Sequence, residues 1–290
     1  MGPTTLNAAS RRQGAQLHEF ATDAALQGSG VTRLSAWIGR RGVPWQPRHN
    51  QLLAALPAAD YERIRRALEP IDMPSGHVVC DVGHCPEHAC FPVAGIVSLT
   101  HELANGATAE VAVTGSDGMV GMALVLGGGA TTTRAVVRAA MRGYALSADA
   151  LAGELRSGEA LRQVLLRYAQ ALLTQMTQAA VCRGHHSVEQ QLCRLLLATL
   201  DRLPGNELML THDAIGTALG VRRESVTVVA GRLQAAGLIR YHRGRMSVLD
   251  RDALERRVCE CHGVVRTESD RLARLLHAEP KPGRQYGRVG

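Results

Sequence analysis

The chain has 290 residues, 46% of them hydrophobic, which is enough for two modest globular domains with extensions. Its formal charge of +7 favours polyanionic partners. No apolar run reaches the roughly 18 residues of a membrane helix, and residues 1–14 show no signal peptide, so we expect a cytoplasmic protein without membrane contact.

Other features exclude further classes of protein. The seven cysteines, an odd number without a secretion signal, argue against a disulfide framework. The sequence carries no P-loop, GxSxG, HExxH or dinucleotide-binding motif, so we do not expect an enzyme. Nearly all basic residues are arginine, a bias that a GC-rich genome also produces.

Residues 1–48 mix Gly, Ser, Gln and Arg with little periodicity, and we predict a flexible N-terminal extension. Residues 49–157 predict a sensor domain. It begins with two short helical turns separated by Pro57 and continues in short β-type runs. The Asn105-Gly106 pair between two such runs predicts a hairpin. Short, closely spaced strands are typical of a small barrel or sandwich.

Residues 158–184 predict a long helix whose apolar side chains recur at spacings of four and three. Such a seam suits a partner helix in a homodimer, or a stripe buried against the chain's own domain. We favour the dimer contact, because the helix links two domains and has few other anchors. The predicted contact residues are Leu161, Leu165, Tyr168, Leu172 and Ala179.

Residues 185–262 predict a winged helix-turn-helix. Thr211 can cap a first helix, and Gly220 suits a tight turn with positive φ. A second helix from about 222 to 236 completes the motif. Two β-type runs around a basic tip at residues 242–245 then predict a wing.

This segment concentrates positive charge, with six arginines and one acidic residue between Arg222 and Arg245. In a helix-turn-helix, the start of the second helix reaches base edges, where Arg pairs with guanine and Glu with cytosine. A wing contacts phosphates. A merely solvated arginine face is the weaker alternative. The predicted DNA-binding residues are Thr211, Arg222, Arg223, Glu224, Ser225, Thr227, Arg232, Arg243 and Arg245.

Two segments carry a family resemblance: LTHDAIGTALGVRRESV at residues 210–226 and LQAAGLI at residues 233–239. They resemble the Crp/Fnr family of regulators, and the resemblance extends over about residues 50–261. It implies an α+β fold with an N-terminal β-roll similar to cyclic-nucleotide-binding domains, a long dimerisation helix and a C-terminal winged helix-turn-helix. It also implies a homodimer that binds a pseudo-palindromic operator in double-stranded DNA, with RNA polymerase as a further partner.

The resemblance assigns roles to particular residues. Thr211 matches the family's phosphate-contacting residue, and Arg223 and Glu224 match its base-reading pair. Val228 stands where many members have a further arginine. We therefore expect an operator that is related to those of other members but distinct.

Residues 115–124 resemble the start of the family's phosphate-binding cassette, with departures. Met122 replaces the glutamate that holds the ribose, the cassette arginine aligns near Thr133 or Arg134, and Met176-Thr177 falls where cyclic AMP binders meet the base. We expect no ordinary cyclic AMP binding; another small-molecule effector, including a dinucleotide, or none are the alternatives. The predicted effector pocket comprises Gly121, Met122, Thr133, Arg134, Met176 and Thr177.

Chemical sensing is a second hypothesis. Residues 77–90 hold three cysteines and three histidines, which suit zinc, haem iron, an iron–sulfur cluster or thiol redox chemistry. The candidate ligands are Cys80, Cys85, Cys90, His84 and His88. Because free cysteine is also a common core residue, we predict no metal site and no cofactor required for DNA binding.

The C-terminal part contains a smaller cluster, Cys259-Glu260-Cys261-His262. On its own it cannot close a tetrahedral site, so we predict a surface or helix-packing role. Residues 263–290 are predicted to form a basic tail that adds sequence-independent affinity for DNA.

Overall fold

The computed structural model describes residues 45–127 and 129–277. It has the mixed helix and antiparallel-strand architecture predicted from the sequence. In chain order the elements are α1 (Gln51–Ala54), α2 (Ala58–Arg65), β1 (Glu69–Met73), β2 (Val78–Cys80), β3 (His88–Glu102), β4 (Thr108–Thr114), α3 (Met122–Leu126), β5 (Arg134–Ser147), α4 (Ala148–Ser157), α5 (Glu159–His185), α6 (Val188–Leu200), β6 (Glu207–Met209), α7 (His212–Leu219), α8 (Arg223–Ala235), β7 (Ile239–His242), β8 (Arg245–Val248), α9 (Arg251–Arg257) and α10 (Glu260–His277). Over this part of the chain, every helix is too short or too polar to cross a membrane.

The β-roll is built on an antiparallel sheet with strand order β1-β5-β3-β4, in which β2 also pairs with β5. Strands β3 and β5 are longer than the sequence runs indicated. Their register pairs Phe91 with Tyr144 at one end and Leu99 with Ala135 at the other, and it shifts between Pro92 and Val97. Such bulges bend long strands, which lets the sheet curl around its core.

Helix α5 packs one face against this core. The Tyr168 hydroxyl is buried there, where it donates to Met119 O (3.1 Å) and lies 2.6 Å from Thr114 Oγ1. Burial raises the pKa of Tyr168 to about 12, so the phenol stays neutral.

The sequence-based prediction of the dimer contact is therefore wrong in its residues. All five side chains are buried inside the chain, most of them against the β-roll: Leu161, Leu165, Tyr168, Leu172 and Ala179. A stripe at spacings of four and three suits any apolar partner, and here the partner is the chain's own sheet.

Helix α10 corrects the prediction of a C-terminal tail over residues 263–277. It lies along α5 and buries Leu272 in the β-roll core. Its covered positions, among them Cys261, Val265 and Leu272, recur at helical spacing between many charged residues, which concealed the pattern. Residues 278–290 of the predicted tail lie outside the described residues.

Most of the predicted N-terminal extension, residues 1–44, also lies outside the described residues. Residues 45–48, the last four of the predicted extension, lie against the folded chain. The Tyr144 hydroxyl donates to Trp45 O at 3.0 Å, and the Arg48 guanidinium lies 4.2 Å from the ring centre of Tyr61. The extension as predicted is therefore too long at its C-terminal end.

The winged helix-turn-helix has a second core. Helices α6, α7 and α8 enclose it with a sheet of order β6-β8-β7. Its fully buried side chains include Leu196, Ile215, Val226, Leu233 and Met246. Leu219 on α7 and Val229 on α8 are buried in the same core.

Asn50 joins the start of α1 to the β-roll. Its side chain is fully buried, accepts hydrogen bonds from Leu52 N and Leu53 N, and donates to Pro92 O and Gly118 O, both at 2.8 Å. One side chain thus caps a helix and pairs two carbonyl groups, one on β3 and one in the turn after β4.

We predict that Asn50→Ala destabilises the protein by about 2–4 kcal/mol, because it removes a helix cap and leaves two buried carbonyl groups unpaired. Urea unfolding would measure this as a lower midpoint with an unchanged slope. Asn105→Ala, in the exposed β3–β4 turn, is the matched control and should cost less than about 1 kcal/mol. Equal midpoints for the two variants would contradict the role of Asn50.

Candidate nucleic-acid interface

Thr211 caps the start of helix α7: its hydroxyl accepts a hydrogen bond from Ala214 N at 3.1 Å and can still donate its own proton to an outside acceptor. The helix ends at Gly220 with φ +71°, the left-handed conformation predicted for the turn. A Cβ at Gly216 would lie 2.9 Å from Val221 O, so only glycine lets the following turn pass this closely.

Helix α8 packs through Val226, Val229 and Leu233 and leaves its other face in solvent. The predicted DNA-binding residues on and before this helix are all exposed: Arg222, Arg223, Glu224, Ser225, Thr227 and Arg232. Arg223 lies 3.4 Å from Asp213, but their side chains are 64% and 66% exposed. A pair this exposed is weak, so Arg223 can leave it for another acceptor.

Two residues that the sequence analysis missed brace this surface. The ring of His212 stacks on Tyr241 with 4.1 Å between centroids, and its Nδ1 lies 3.0 Å from Thr227 Oγ1. Burial, with the nearby Arg223, lowers the pKa of His212, which favours the neutral ring. The Thr227 hydroxyl also bonds Arg223 O, so it serves the protein's own structure rather than a free base contact.

The wing is a tight hairpin in which β7 and β8 pair His242 with Arg245. Its tip is formed by Arg243 and Gly244. Among the described residues, Arg243 is the non-glycine residue with positive φ, at +46°. A conformation of this kind costs about 1 kcal/mol or more, and such strain often marks a functional position. It holds the exposed Arg243 side chain at the tip, next to the half-buried Arg245.

The helix-turn-helix is docked on the β-roll by arginines. Arg202, whose side chain is 8% exposed, pairs with Asp117 at 2.7 Å. Arg138 bonds Thr199 Oγ1 at 2.8 Å. Arg183, near the end of α5, donates to the carbonyl groups of Glu110 on β4 and of Ala218 on α7. Polar contacts therefore join the sensor sheet, the long helix and the DNA-binding module.

A cavity of about 290 Å³ lies between the cassette, residues 131–133 and α5. Four predicted pocket residues line it: Gly121, Met122, Thr133 and Met176. Two do not. Arg134 is paired with Asp81 at 3.6 Å, and the Thr177 hydroxyl donates to Leu173 O within its helix at 2.9 Å. No charged side chain lines this cavity among the described residues.

The cysteines and histidines of residues 77–90 do not assemble. Cys85 is exposed and Cys90 is buried. Within the described ranges, no three of the five candidate ligands bring their donor atoms together. Burial, with a smaller effect of Cys80, raises the pKa of Cys90 to about 11, so it is a poor thiolate. The structure thus gives no support to metal or thiol sensing at this cluster.

The fold and the exposed helix define a DNA-binding protein of the winged helix-turn-helix class. Residues 190–257 match the model of the Crp-like helix-turn-helix domain. The chain therefore carries the DNA-binding domain of Crp-type transcription regulators, a family of regulators and not of enzymes.

Crp-type regulators are also found among the relatives of this chain and among solved structures of similar fold. The CRP-like cAMP-activated global transcriptional regulator of Mycobacterium tuberculosis is 23% identical over 201 residues, covering 67% of this chain and 90% of the relative. The c-di-GMP responsive global regulator CLP of Xanthomonas campestris is 20% identical, with a TM-score of 0.55. The match covers 67% of this chain and 100% of the CLP chain. TTHA1359, a CRP/FNR family regulator of Thermus thermophilus, is 21% identical, with a TM-score of 0.54. That match covers 65% of this chain and 97% of TTHA1359.

Proposed function

We propose that this regulator binds a pseudo-palindromic operator in double-stranded DNA as a homodimer. The observation that carries the proposal is the exposed polar face of α8, beside a wing whose tip holds an arginine in a strained conformation. Two such helices related by a twofold axis would enter major grooves about 34–36 Å apart.

The two parts of the surface have different roles in this proposal. Arg223 and Glu224, in the first turn of α8, contact base edges. Thr211 and the wing residues Arg243 and Arg245 contact phosphates and fix the register. Val228, which is 55% exposed one turn further along α8, presents an apolar side chain that fits a thymine methyl group.

The dimer contact is assigned to the opposite face of α5 from the one predicted. Leu166, Leu173 and Val181 are 51%, 62% and 42% exposed, at intervals of seven and eight residues. The exposed Gln170 and Thr177 lie between them, which completes a seam with coiled-coil spacing. A second copy of the same helix is the occupant that fits, because it brings two recognition helices into one complex.

We propose that the sensor cavity does not take cyclic AMP. A cyclic phosphate needs a cationic partner, and none of the described residues that line the cavity supplies one. The relative from Mycobacterium tuberculosis is named as cAMP-activated, but Met122 and the Asp81-bound Arg134 separate this chain from such a site. The methionine and threonine lining suits a neutral ligand.

Signal transfer would run through the cassette. Asp117 lies four residues before the cavity-lining Gly121 and holds Arg202 of the DNA-binding module. A ligand that shifts the cassette would therefore bias the docking of the helix-turn-helix, a population shift between two arrangements. RNA polymerase is the expected further partner of a transcription regulator.

We predict that Arg223→Ala weakens binding to the selected operator by about 1–3 kcal/mol and relaxes one base position. Fluorescence anisotropy with operator DNA and with single-base variants would measure both effects. The comparison variant Arg243→Ala should weaken binding to all DNA sequences alike. It should also reduce by about 1 the slope of log affinity against log salt concentration. Arg156→Ala, exposed on α4, is the neutral control. If Arg223→Ala lost the same affinity for every DNA sequence, Arg223 would contact phosphate rather than a base.

We predict that Leu173→Glu converts the dimer into a folded monomer of 31.1 kDa, because it places two charges in an apolar seam. Sedimentation equilibrium would measure the mass. Leu103→Glu replaces a leucine that is 57% exposed in the β3–β4 turn, and should leave the dimer intact. A dimer that persists in Leu173→Glu would place the interface elsewhere.

We predict that millimolar cyclic AMP changes neither Tm nor operator affinity. A ligand at a hundredfold excess over its Kd would add about 2.7 kcal/mol of stability, which is readily detected as a higher Tm. Thermal unfolding and anisotropy titrations would provide the two measurements. A saturable increase in Tm with cyclic AMP would refute the assignment of this cavity.

A further inference from the structure

We propose that Cys182, His186, Cys259 and Cys261 bind one zinc ion. Their four donor atoms all lie within 4.8 Å of one another. The sulfurs of Cys182 and Cys259 are 3.6 Å apart, and the Cys261 sulfur is 3.6 Å from His186 Nδ1. In a tetrahedral zinc site, the usual metal–ligand distances place two sulfurs about 3.8 Å apart and a sulfur and a nitrogen about 3.6 Å apart.

The donors come from two distant parts of the chain. Cys182 lies in the last turn of α5, and His186 directly follows that helix in an extended conformation. Cys259 and Cys261 flank the start of α10, in a short C-x-C pair that folds back to them. The two halves are more than 70 residues apart in sequence, so the C-x-C pair looked incomplete when considered alone.

Burial separates this cluster from ordinary core packing. Cys182, Cys259 and Cys261 are 0%, 3% and 1% exposed, and within the described ranges they form a cluster of their own with the partly buried Val258 packed against it. Three thiols and an imidazole make a poor hydrophobic core. They are, however, a complete donor set for a structural zinc site with three cysteines and one histidine.

The orientation of His186 fits the same assignment. Its Nδ1 faces the thiol of Cys261, while its Nε2 lies 3.2 Å from a carboxylate oxygen of Glu260. A carboxylate behind a ligating histidine fixes the ring and raises its basicity. The neighbouring His262 lies outside the group of four converging donors, and its Nε2 is bonded to Asp201 at 3.1 Å.

The donor set also selects the ion. Thiolate and imidazole ligands favour zinc over magnesium or calcium, which take oxygen ligands. An iron–sulfur cluster spreads its ligands over several iron atoms, whereas donors within 4.8 Å suit a single ion.

Such an ion would fasten the end of the long helix to the α9–α10 junction, behind the winged helix-turn-helix. This consequence rests on the proposed function, since it would fix the angle at which each recognition helix leaves the dimer. Structural zinc sites contribute directly to folding stability, so removal of the ion should loosen this joint.

Metal analysis of the untagged full-length protein, purified anaerobically in reductant, tests the site without reference to DNA. We expect about one zinc per chain by mass spectrometry. Replacement by cobalt should give the intense absorption of a tetrahedral thiolate site. The double variant Cys259→Ser/Cys261→Ser should lose the metal, and the exposed Cys85→Ser should keep it as the matched control.

Cobalt titration of the wild-type chain after treatment with a chelator avoids reliance on a variant that does not fold. Wild-type protein with neither zinc nor a cobalt spectrum would overturn the site. Zinc retained by the double variant, or a Cys182–Cys259 disulfide in the reduced preparation, would do the same. Operator affinity is a separate measurement, for which we expect at least a roughly fivefold loss without zinc. Zinc-loaded protein that binds no operator would refute the proposed function and leave the metal site standing.

Discussion

The structure depends on the burial of one face of α5 in the β-roll. Tyr168 fixes the position of that face, since its buried hydroxyl contacts both Thr114 at the end of β4 and Met119 in the cassette. Because this side of the helix is committed to the sensor, only the opposite side is available to a second copy. In the proposed dimer, the same helix would carry the β-roll contact on one face and the contact with the second copy on the other.

Polar contacts continue this connection into the DNA-binding module. Arg202 is nearly buried against Asp117, and Arg183 bonds backbone carbonyl groups of both the sensor sheet and α7. Breaking a buried pair leaves an uncompensated charge, so separation of the two domains at this contact is unfavourable. The exposed face of α8 takes no part in this docking, so DNA contact and sensor contact use separate surfaces.

The parts of the fold that the sequence predicted correctly are local. The cap at Thr211, the turn at Gly220 and the arginine-rich start of α8 can be recognised within about 15 residues of sequence. Caps and turns are local, because they depend on neighbours in the chain. The seam on α5 was assigned to the wrong partner, since periodicity shows that a face is buried but not what covers it. The grouping of Cys182 with Cys259 depends on tertiary contact and had no local signal. Charged residues hid the periodicity of α10.

The position of Leu272 has a consequence for how the chain folds. This residue of α10 lies in the same core as Leu52 of α1, so the last described helix is anchored beside the first described one. Contacts this far apart in sequence close a very large loop, which slows folding but makes the late and early parts depend on each other. The winged helix-turn-helix lies between two segments of one core. A nascent chain would therefore complete its N-terminal core only after the DNA-binding module has been synthesised.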